Sequence, residues 1–512
     1  MSSSRSSRFR TVGRATLILA FFFAIDKGLA FIRQVLIART FGLSPELDAF
    51  NAANNLPDLL FALISGGALA MAFIPVLTEV LTLRGRRAMW RLFARIANLA
   101  FLTTAGLAVL IAIFAEPLVR WELGIAPGFT PEFQALTAQL MRLNLIATLI
   151  FSLSGLVAAS LYAQQHFWLP ALAPVMYNVG QIIGIAILAP EQGLRLGPVT
   201  LPSLGLGVHG LVYGVIFGAL LHLGVQVPGL VRYGFRWWPE VRLHDPDVRK
   251  VLRLMGPRVL TMFFIQLVFL ARDNLASSIP GAVTALAYGW FIMQVPETLI
   301  GTAMGIALLP TLSTLSAQAD WDGYRRALNQ GVRILVALTL PIAVLLSITM
   351  PGLLQILGLN FQDTAMVVAA TRAYLAGLTG HALLELAARG FYARQDARTP
   401  LLASALTTAG YLTFAWLFRG WLGAAGIGLA NATAFTAEAI LLLLLTQRRF
   451  PGILRLGSTG WRTAAAVGLG AAVSTLLMHI LGPTVWGGLV ALLAGGALAL
   501  PWVWPEVRAL LQ

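Results

Sequence analysis

Tyr162-Ala163-Gln164-Gln165, followed by Pro170-Ala171-Leu172-Ala173, recurs 230 positions later as Tyr392-Ala393-Arg394-Gln395 followed by Pro400-Leu401-Leu402-Ala403. Upstream of the first copy Gly67 leads to Pro75-x-Leu77-Thr78, and upstream of the second Gly301 leads to Pro310-x-Leu312-Ser313. Downstream, Gly207-x-x-Gly210-Leu211 is echoed by Gly423-x-x-Gly426-Ile427. Glycine and proline are common in membrane helices, so one such match would be chance. Three matches in one order and at similar spacing point to a duplicated helical bundle, the plan of transporters built from two similar halves.

Composition supports that plan. The chain is 58% hydrophobic and only 11% charged, with a mean hydropathy of +0.79, whereas a soluble domain carries roughly a quarter charged residues. Runs such as 99–115 and 334–350 are long enough to cross, or nearly cross, a ~30 Å hydrocarbon layer. The expectation is an all-α polytopic membrane protein of about fourteen transmembrane helices. They fall near 15–41, 48–80, 92–117, 133–163, 168–190, 205–230, 250–279, 281–314, 328–358, 363–393, 399–418, 424–446, 461–481 and 484–504. Two parallel six-helix repeats would form an N-lobe (15–230) and a C-lobe (250–446) around a central cavity. A cytoplasmic N-terminus (1–14), a cytoplasmic linker (231–249) and two C-terminal helices (447–512) complete the expected organisation. Arg5, Arg8, Arg10 and Arg14 precede the first apolar segment, which has no small-residue cleavage site before Asp26-Lys27, so no cleavable signal is expected.

The net charge of +15 raises the question of a nucleic-acid partner. Its distribution answers it. Arg84, Arg86, Arg87, Arg91, Arg95, the 232–253 stretch, Arg325-Arg326, Arg394, Arg398, Arg448-Arg449, Arg455, Arg462 and Arg508 all fall on one expected side of the membrane. The other side holds little beyond Arg120, Arg195 and Arg419. This asymmetry argues against nucleic acid and places both termini of a multi-pass membrane protein in the cytoplasm. There are no cysteines, which excludes disulfides and thiolate metal sites. The six histidines show no metal-ligand spacing, and Gly205 to Gly210 follows no expected strand, so no catalytic, metal or nucleotide site is expected.

Charges inside the spans carry the functional information, because each needs a partner or a cavity. The first span holds Asp26, Lys27, Arg33 and Arg39. The second begins at Asp48 and is interrupted at Asn54-Asn55-x-Pro57-Asp58. Lys27 and Arg33 are six residues apart, roughly 600° of helix, and share a narrow face only if Gly28 bends the helix. Further along lie Arg142, Arg258, Arg272-Asp273, Glu297, Arg372, His381, Glu385 and Arg389. Lys27, Arg33 and Arg142 suit a cationic cavity for a phosphate-bearing headgroup, with Asp26 beside them. Asp26–Lys27 equally suits a structural pair. Arg39, Arg258 and Arg389 suit snorkelling from helix ends. Glu385 and Glu297 suit either hydrogen-bonded core carboxyls or coupling sites.

At these residues the chain resembles the MurJ/MviN lipid II flippases. The resemblance rests on Lys27-Gly28 through Arg33, Ala38-Arg39-x-Phe41-Gly42, Asp48-Ala49-Phe50, Leu56-Pro57 and Ala72-Phe73-x-Pro75. It continues through Pro170 to Asn178, Asn274-Leu275-Ala276-Ser277, Gly301 to Ser313, and Phe391 to Pro400, covering about residues 10–450. It implies the fold of the multidrug/oligosaccharidyl-lipid/polysaccharide exporters and alternating access. The implied cargo is a lipid-linked anionic substrate of the undecaprenyl-pyrophosphate type. It also implies cavity roles for Lys27 and Arg33 and a gate role for Asp48, to which Arg39 and Asn55 are added.

Departures accompany the resemblance. Phe61 stands where many relatives carry a cavity arginine, and Trp290-Phe291 where an acidic or amide residue precedes arginine. Tyr411 and Ala415 replace sodium-site side chains, although Asn431 falls near a polar position of the twelfth span. Arg272-Asp273 reverses the order of many relatives. No cofactor is therefore expected. Coupling is expected through the membrane potential, with protons as an aid and Glu385, Asp273 and Asn431 as candidate coupling groups; bound sodium is disfavoured. The alternative reading is an exporter of another polyprenyl-linked saccharide or of cationic, amphipathic drugs. The expected partners are membrane lipids and the substrate, for a monomer with cell-wall synthesis proteins as candidate contacts.

Overall fold

The computed structural model describes residues 2–65, 67–193, 195–196 and 199–511. The side chains of Arg5, Arg8, Arg10, Arg14 and Arg258 lie outside the described ones. The fold is all-α apart from a two-stranded antiparallel hairpin, β1 (Arg195–Leu196) and β2 (Val199–Thr200). The chain divides into two compact units. One comprises residues 1–41 and 45–266, the other 42–44 and 267–512.

The first unit contains α1 (Ser2–Phe41), α2 (Pro45–Ala53), α3 (Asn55–Leu60), α4 (Gly67–Ile113), α5 (Ala115–Arg120), α6 (Pro131–Ala163), α7 (Trp168–Ile183), α8 (Gly207–Gly224) and α9 (Val227–Arg232). The long α10 (Pro246–Ala276) runs across the boundary between units. The second unit continues with α11 (Ala282–Pro296), α12 (Ala303–Ala317), α13 (Trp321–Leu353), α14 (Phe361–Leu375) and α15 (Leu378–Ala393). It ends with α16 (Arg398–Leu422), α17 (Ala424–Arg449), α18 (Ser458–Leu481) and α19 (Val485–Leu511).

Among the described residues eleven helical segments are long and apolar enough to cross a membrane. The expected count of fourteen differs for reasons written in the chain. Between 48 and 80 the helix is broken at Asn54 and again by a π-helical turn over Phe61–Ser65. Helix α4 then folds two expected spans into one element, with Gly85 at φ 80°, ψ 176° marking the turn between them. Between 363 and 393 the helix stops at Ala376-Gly377, and Arg372, Glu385 and Arg389 depress its hydropathy. The first span, 15–41, is not among the eleven either.

The repeated motifs fold alike in the two units. Gln165 and Gln395 take the same left-handed conformation, at φ 59° and φ 60°. His166 N donates to Leu161 O at 2.9 Å, and Asp396 N to Phe391 O at 3.0 Å, the i→i−5 bond of a Schellman ending. Pro170 and Pro400 then occupy the third position of the following helix. A π-helical stretch (Phe61–Ser65, Glu297–Thr302) precedes each proline-bearing helix, and Gly207 and Gly423 open theirs at φ 55° and φ 56°.

Small residues set the helix spacing. A Cβ on Gly180 would lie 2.3 Å from Gly218 Cα, and one on Gly184 would lie 2.7 Å from Gly214 Cα, so α7 and α8 meet backbone to backbone. In the second unit Ser474 Oγ of α18 donates to Ala491 O of α19 at 2.8 Å, and both helices pack on α13.

Candidate functional site

In the first unit the charges of α1 meet α7. Asp26 and Arg33 are seven residues apart, about 700° of rotation, so they return to nearly the same face. Asn178 of α7, 4% exposed, spans them. Arg33 Nη1 donates to Asn178 Oδ1 at 2.9 Å, and Asn178 Nδ2 donates to Asp26 Oδ1 at 2.7 Å. Lys27 lies a further ~100° round the helix. Its ammonium is 3.8 Å from Asp26 Oδ2 and 54% of its side chain is exposed. Helix α1 is continuous through Gly28, so Lys27 and Arg33 stay on different faces and are linked through Asp26 and Asn178. Arg142 is held elsewhere. Its Nε donates to Ala112 O at 3.0 Å and its Nη2 lies 3.6 Å from Glu116 Oε1, at the junction of α4 and α5.

Tyr177, next to the clamp and within electrostatic reach of Arg33 and Asp58, faces a cavity of about 320 Å³ in the same unit. Asn54, Asp58, Asn144 and His222 supply its polar lining. Asn144 Nδ2 donates to Asn54 Oδ1 at 2.9 Å, and Asn54 Nδ2 donates to Phe50 O at 3.0 Å, which fixes the break between α2 and α3. Of the expected gate residues, Asp48 is buried in α2, Asn55 Nδ2 donates to Ala52 O at 3.2 Å, and Arg39 is exposed near the end of α1. Phe61 fills its place with an aromatic contact. Its ring meets Phe151 edge-on at 5.6 Å, and Phe151 in turn meets Tyr177 at 5.0 Å and His222 at 5.3 Å.

In the second unit Arg272 Nε donates to Asp273 Oδ1 at 2.6 Å, with the two side chains 11% and 1% exposed. The guanidinium also lies over the Phe269 ring at 5.2 Å, a cation–π contact. Trp290 packs edge-on against Phe269, Tyr374 and His381. Asn431 Oδ1 lies 2.9 Å from His381 Nε2, and the His381 ring stacks on Phe435. Glu385 is ion-paired to Arg389 one turn on, and Arg389 Nη1 also donates to Glu385 O at 2.9 Å. Glu297 accepts from Thr302 at 3.1 Å and Thr298 at 3.3 Å within its π-helical stretch. The candidate coupling groups Asp273, Glu385 and Asn431 thus meet three different partners, Arg272 of α10 and Arg389 and His381 of α15.

Two residues escaped the sequence reading. Asn178 was visible only as the last member of a motif, since nothing local ties it to α1. Glu438, 6% exposed in α17, sits between Ala437 and Ala439 in a run that reads as plain helix, and Thr407 hydrogen-bonds it.

The segment 231–249 is fastened to α4. Arg95 Nη2 lies 2.8 Å from Glu240 Oε2 and its Nη1 2.5 Å from Asp245 Oδ2, while Trp90 Nε1 donates to Tyr233 O at 3.0 Å. The hydrogen bond from Arg95 holds the Glu240 carboxyl below its ordinary value of 4.5.

Long apolar helices whose internal charges are answered by other side chains or backbone carbonyls define a polytopic membrane protein. The family model for "Lipid II flippase MurJ" matches residues 37–495, and the chain belongs to that family. It is 31% identical over 481 residues to the lipid II flippase MurJ of Burkholderia cenocepacia, covering 91% of this chain and 89% of that one. It is 28% identical over 448 residues to the probable lipid II flippase MurJ of Rhizobium tropici, covering 86% and 81%. Among solved structures, a lipid II flippase MurJ in an inward closed conformation shares the fold. Its TM-score is 0.75 at 20% identity, covering 97% of this chain and 100% of that one. An inward-facing MATE family multidrug resistance transporter shares it with a TM-score of 0.68 at 15% identity, covering 85% and 98%.

Proposed function

We propose that this chain carries lipid II from the inner to the outer leaflet of the bacterial cytoplasmic membrane by alternating access, serving cell-wall synthesis, with both termini cytoplasmic. Family membership across residues 37–495 carries the reading. Lys27 and Arg33 are the groups assigned to the substrate pyrophosphate. Arg33 offers a planar fork oriented by Asn178, and Lys27 an exposed point charge whose pair with Asp26 is loose enough to exchange for phosphate. Asp48, Arg39 and Asn55 are assigned to the gate. Arg142, engaged with Glu116 and a backbone carbonyl, is assigned to holding α6 against the α4–α5 junction instead.

For the driving force, an inside-negative potential assists outward movement of an anion by about 2.3 kcal/mol per charge per 100 mV, roughly 4.6 kcal/mol for two charges. Potential, with proton transfer resetting the protein, is favoured over bound sodium. The deciding experiment is complementation of a flippase-depleted bacterium, followed by Lys27→Ala and Arg33→Ala. Either substitution should abolish rescue while the protein still accumulates in the membrane. Full rescue by both variants would overturn the cationic-site assignment, and failure of the unaltered chain would overturn the substrate.

A further inference from the structure

A second cavity lies far in sequence from the charges described above, between the first turns of α13 and the last turns of α19. Its volume is about 310 Å³, and Arg326, Asn329, Gln330, Arg333, Pro505 and Glu506 are prominent in its lining. Its acid is fixed and half satisfied. Glu506 is 3% exposed, and its Oε1 accepts from Thr459 Oγ1 at 2.6 Å and from Arg333 Nη2 at 3.4 Å. Thr459 Oγ1 in turn accepts from Arg333 Nε at 2.7 Å, which closes a triangle linking α13, α18 and α19. Glu506 Oε2 is buried without a hydrogen-bond partner among the described residues. A buried, ionisable oxygen left in that state is costly, so the pocket wants a donor. Its base is the reverse. Arg326 is exposed and has no ion-pair or hydrogen-bond partner among the described residues. The cavity therefore presents one unspent cation at its rim and one unspent carboxylate oxygen within.

The pocket's depth in the helices is that of a membrane boundary. The first turns of α13 are polar, Asp322 through Arg333, before the apolar run from Ile334. Trp321, Trp461 and Trp504 are exposed in the terminal turns of α13, α18 and α19, and Trp461 packs edge-on against Trp502 at 5.7 Å. Aromatic side chains at that level mark the headgroup zone. Basic pockets between helices in this zone bind lipid headgroups.

We propose that this pocket holds the headgroup of phosphatidylethanolamine, with the phosphodiester on Arg326 and the ammonium donating to Glu506 Oε2. The two unspent groups match the two ends of that headgroup in sign and in hydrogen-bonding sense. A choline headgroup has no N–H to give, and a glycerol headgroup offers hydroxyls without the positive charge that the carboxylate favours.

The test is native mass spectrometry of the full-length protein exchanged into phosphatidylethanolamine, its mono-, di- and trimethylated forms, or phosphatidylglycerol, each at the same concentration. Retention should fall stepwise with methylation, and phosphatidylglycerol should be retained less than phosphatidylethanolamine. Arg326→Ala, which removes no described contact, should lower phosphatidylethanolamine retention roughly tenfold or more, the worth of one charge-assisted hydrogen bond. Glu506→Gln should flatten the methylation series. Equal retention of the ethanolamine and choline lipids, phosphatidylglycerol retained as well as phosphatidylethanolamine, or unchanged binding by Arg326→Ala would each overturn the proposal.

Discussion

Asn178→Ala removes the side chain that ties Arg33 to Asp26, and its cost follows from what the clamp contains. Two hydrogen bonds are lost, one donated by a guanidinium and one accepted by a carboxylate, around a residue only 4% exposed. In water-soluble proteins bonds to charged partners are worth about 1.5–3 kcal/mol each. Between membrane helices the measured average is nearer 0.6, with a maximum of about 1.7, because the unfolded chain in lipid also finds partners. The second scale applies here, so two bonds give roughly 1.2–3.4 kcal/mol, about a sevenfold to three-hundredfold loss in the folded population. The assay is reversible unfolding of the purified protein in mixed micelles, run as a double-mutant cycle with Arg33→Gln. Coupling between positions 178 and 33 should fall between about 0.6 and 1.7 kcal/mol. Additive losses, with coupling indistinguishable from zero, would refute the clamp and leave Arg33 to be positioned by something other than Asn178.

Three further expectations concern the turns, the fastened segment and the intrahelical pair. Gln395 and Gln165 sit at φ 60° and φ 59°; Gln395→Val should lower stability by about 1–2 kcal/mol while Gln395→Gly stays near neutral, read by thermal unfolding. Because the Glu240 carboxyl titrates below its ordinary value in the folded protein, its contribution is present above that ordinary value. It is lost as pH falls through the lowered one, so proteolytic protection of 231–249 should weaken in that acid range and Arg95→Gln should abolish the dependence. Glu385→Gln and Arg389→Gln should each lower thermal stability, and the double variant should recover part of the loss; independent, additive losses would separate the two residues.

How the chain folds was legible where the information is local. Left-handed turns at Gln165 and Gln395, prolines at the third helical position and glycines opening α8 and following α16 all leave marks within a few residues of one another, so their repetition could be read directly. Counting spans turned on the breaks: Arg84, Arg86 and Arg87 announce the turn at Gly85 and Asn54-Asn55-x-Pro57 the interruption of the second span, whereas the break at Gly377 falls in a segment that reads as continuous. Hydropathy averages over such breaks. Backbone geometry does not.

Partners of intramembrane charges were not legible, for a reason that bears on how this protein can move. A charged side chain in a span announces that it must be answered, but the answer comes from whichever helix packs there. Asn178 answers Arg33 across 145 positions, Glu116 answers Arg142 across a helix junction, and Arg389 answers Glu385 from one turn away. The strength of each answer then separates the roles. Arg272–Asp273, at 2.6 Å with both side chains buried and the guanidinium over the Phe269 ring, is a pair that is costly to part. Lys27–Asp26, at 3.8 Å with the lysine side chain more than half exposed, can be parted at little cost, as the proposed exchange for phosphate requires. Asp26 keeps Asn178 as a partner when Lys27 leaves, so releasing the cation strands no charge. That asymmetry is what a substrate-binding lysine needs. It predicts that Asp26→Asn, which preserves the acceptor for Asn178 while freeing Lys27, should tighten substrate binding and slow release, giving lower turnover together with a lower KM in reconstituted transport. Unchanged turnover and KM would place Lys27 outside the substrate path.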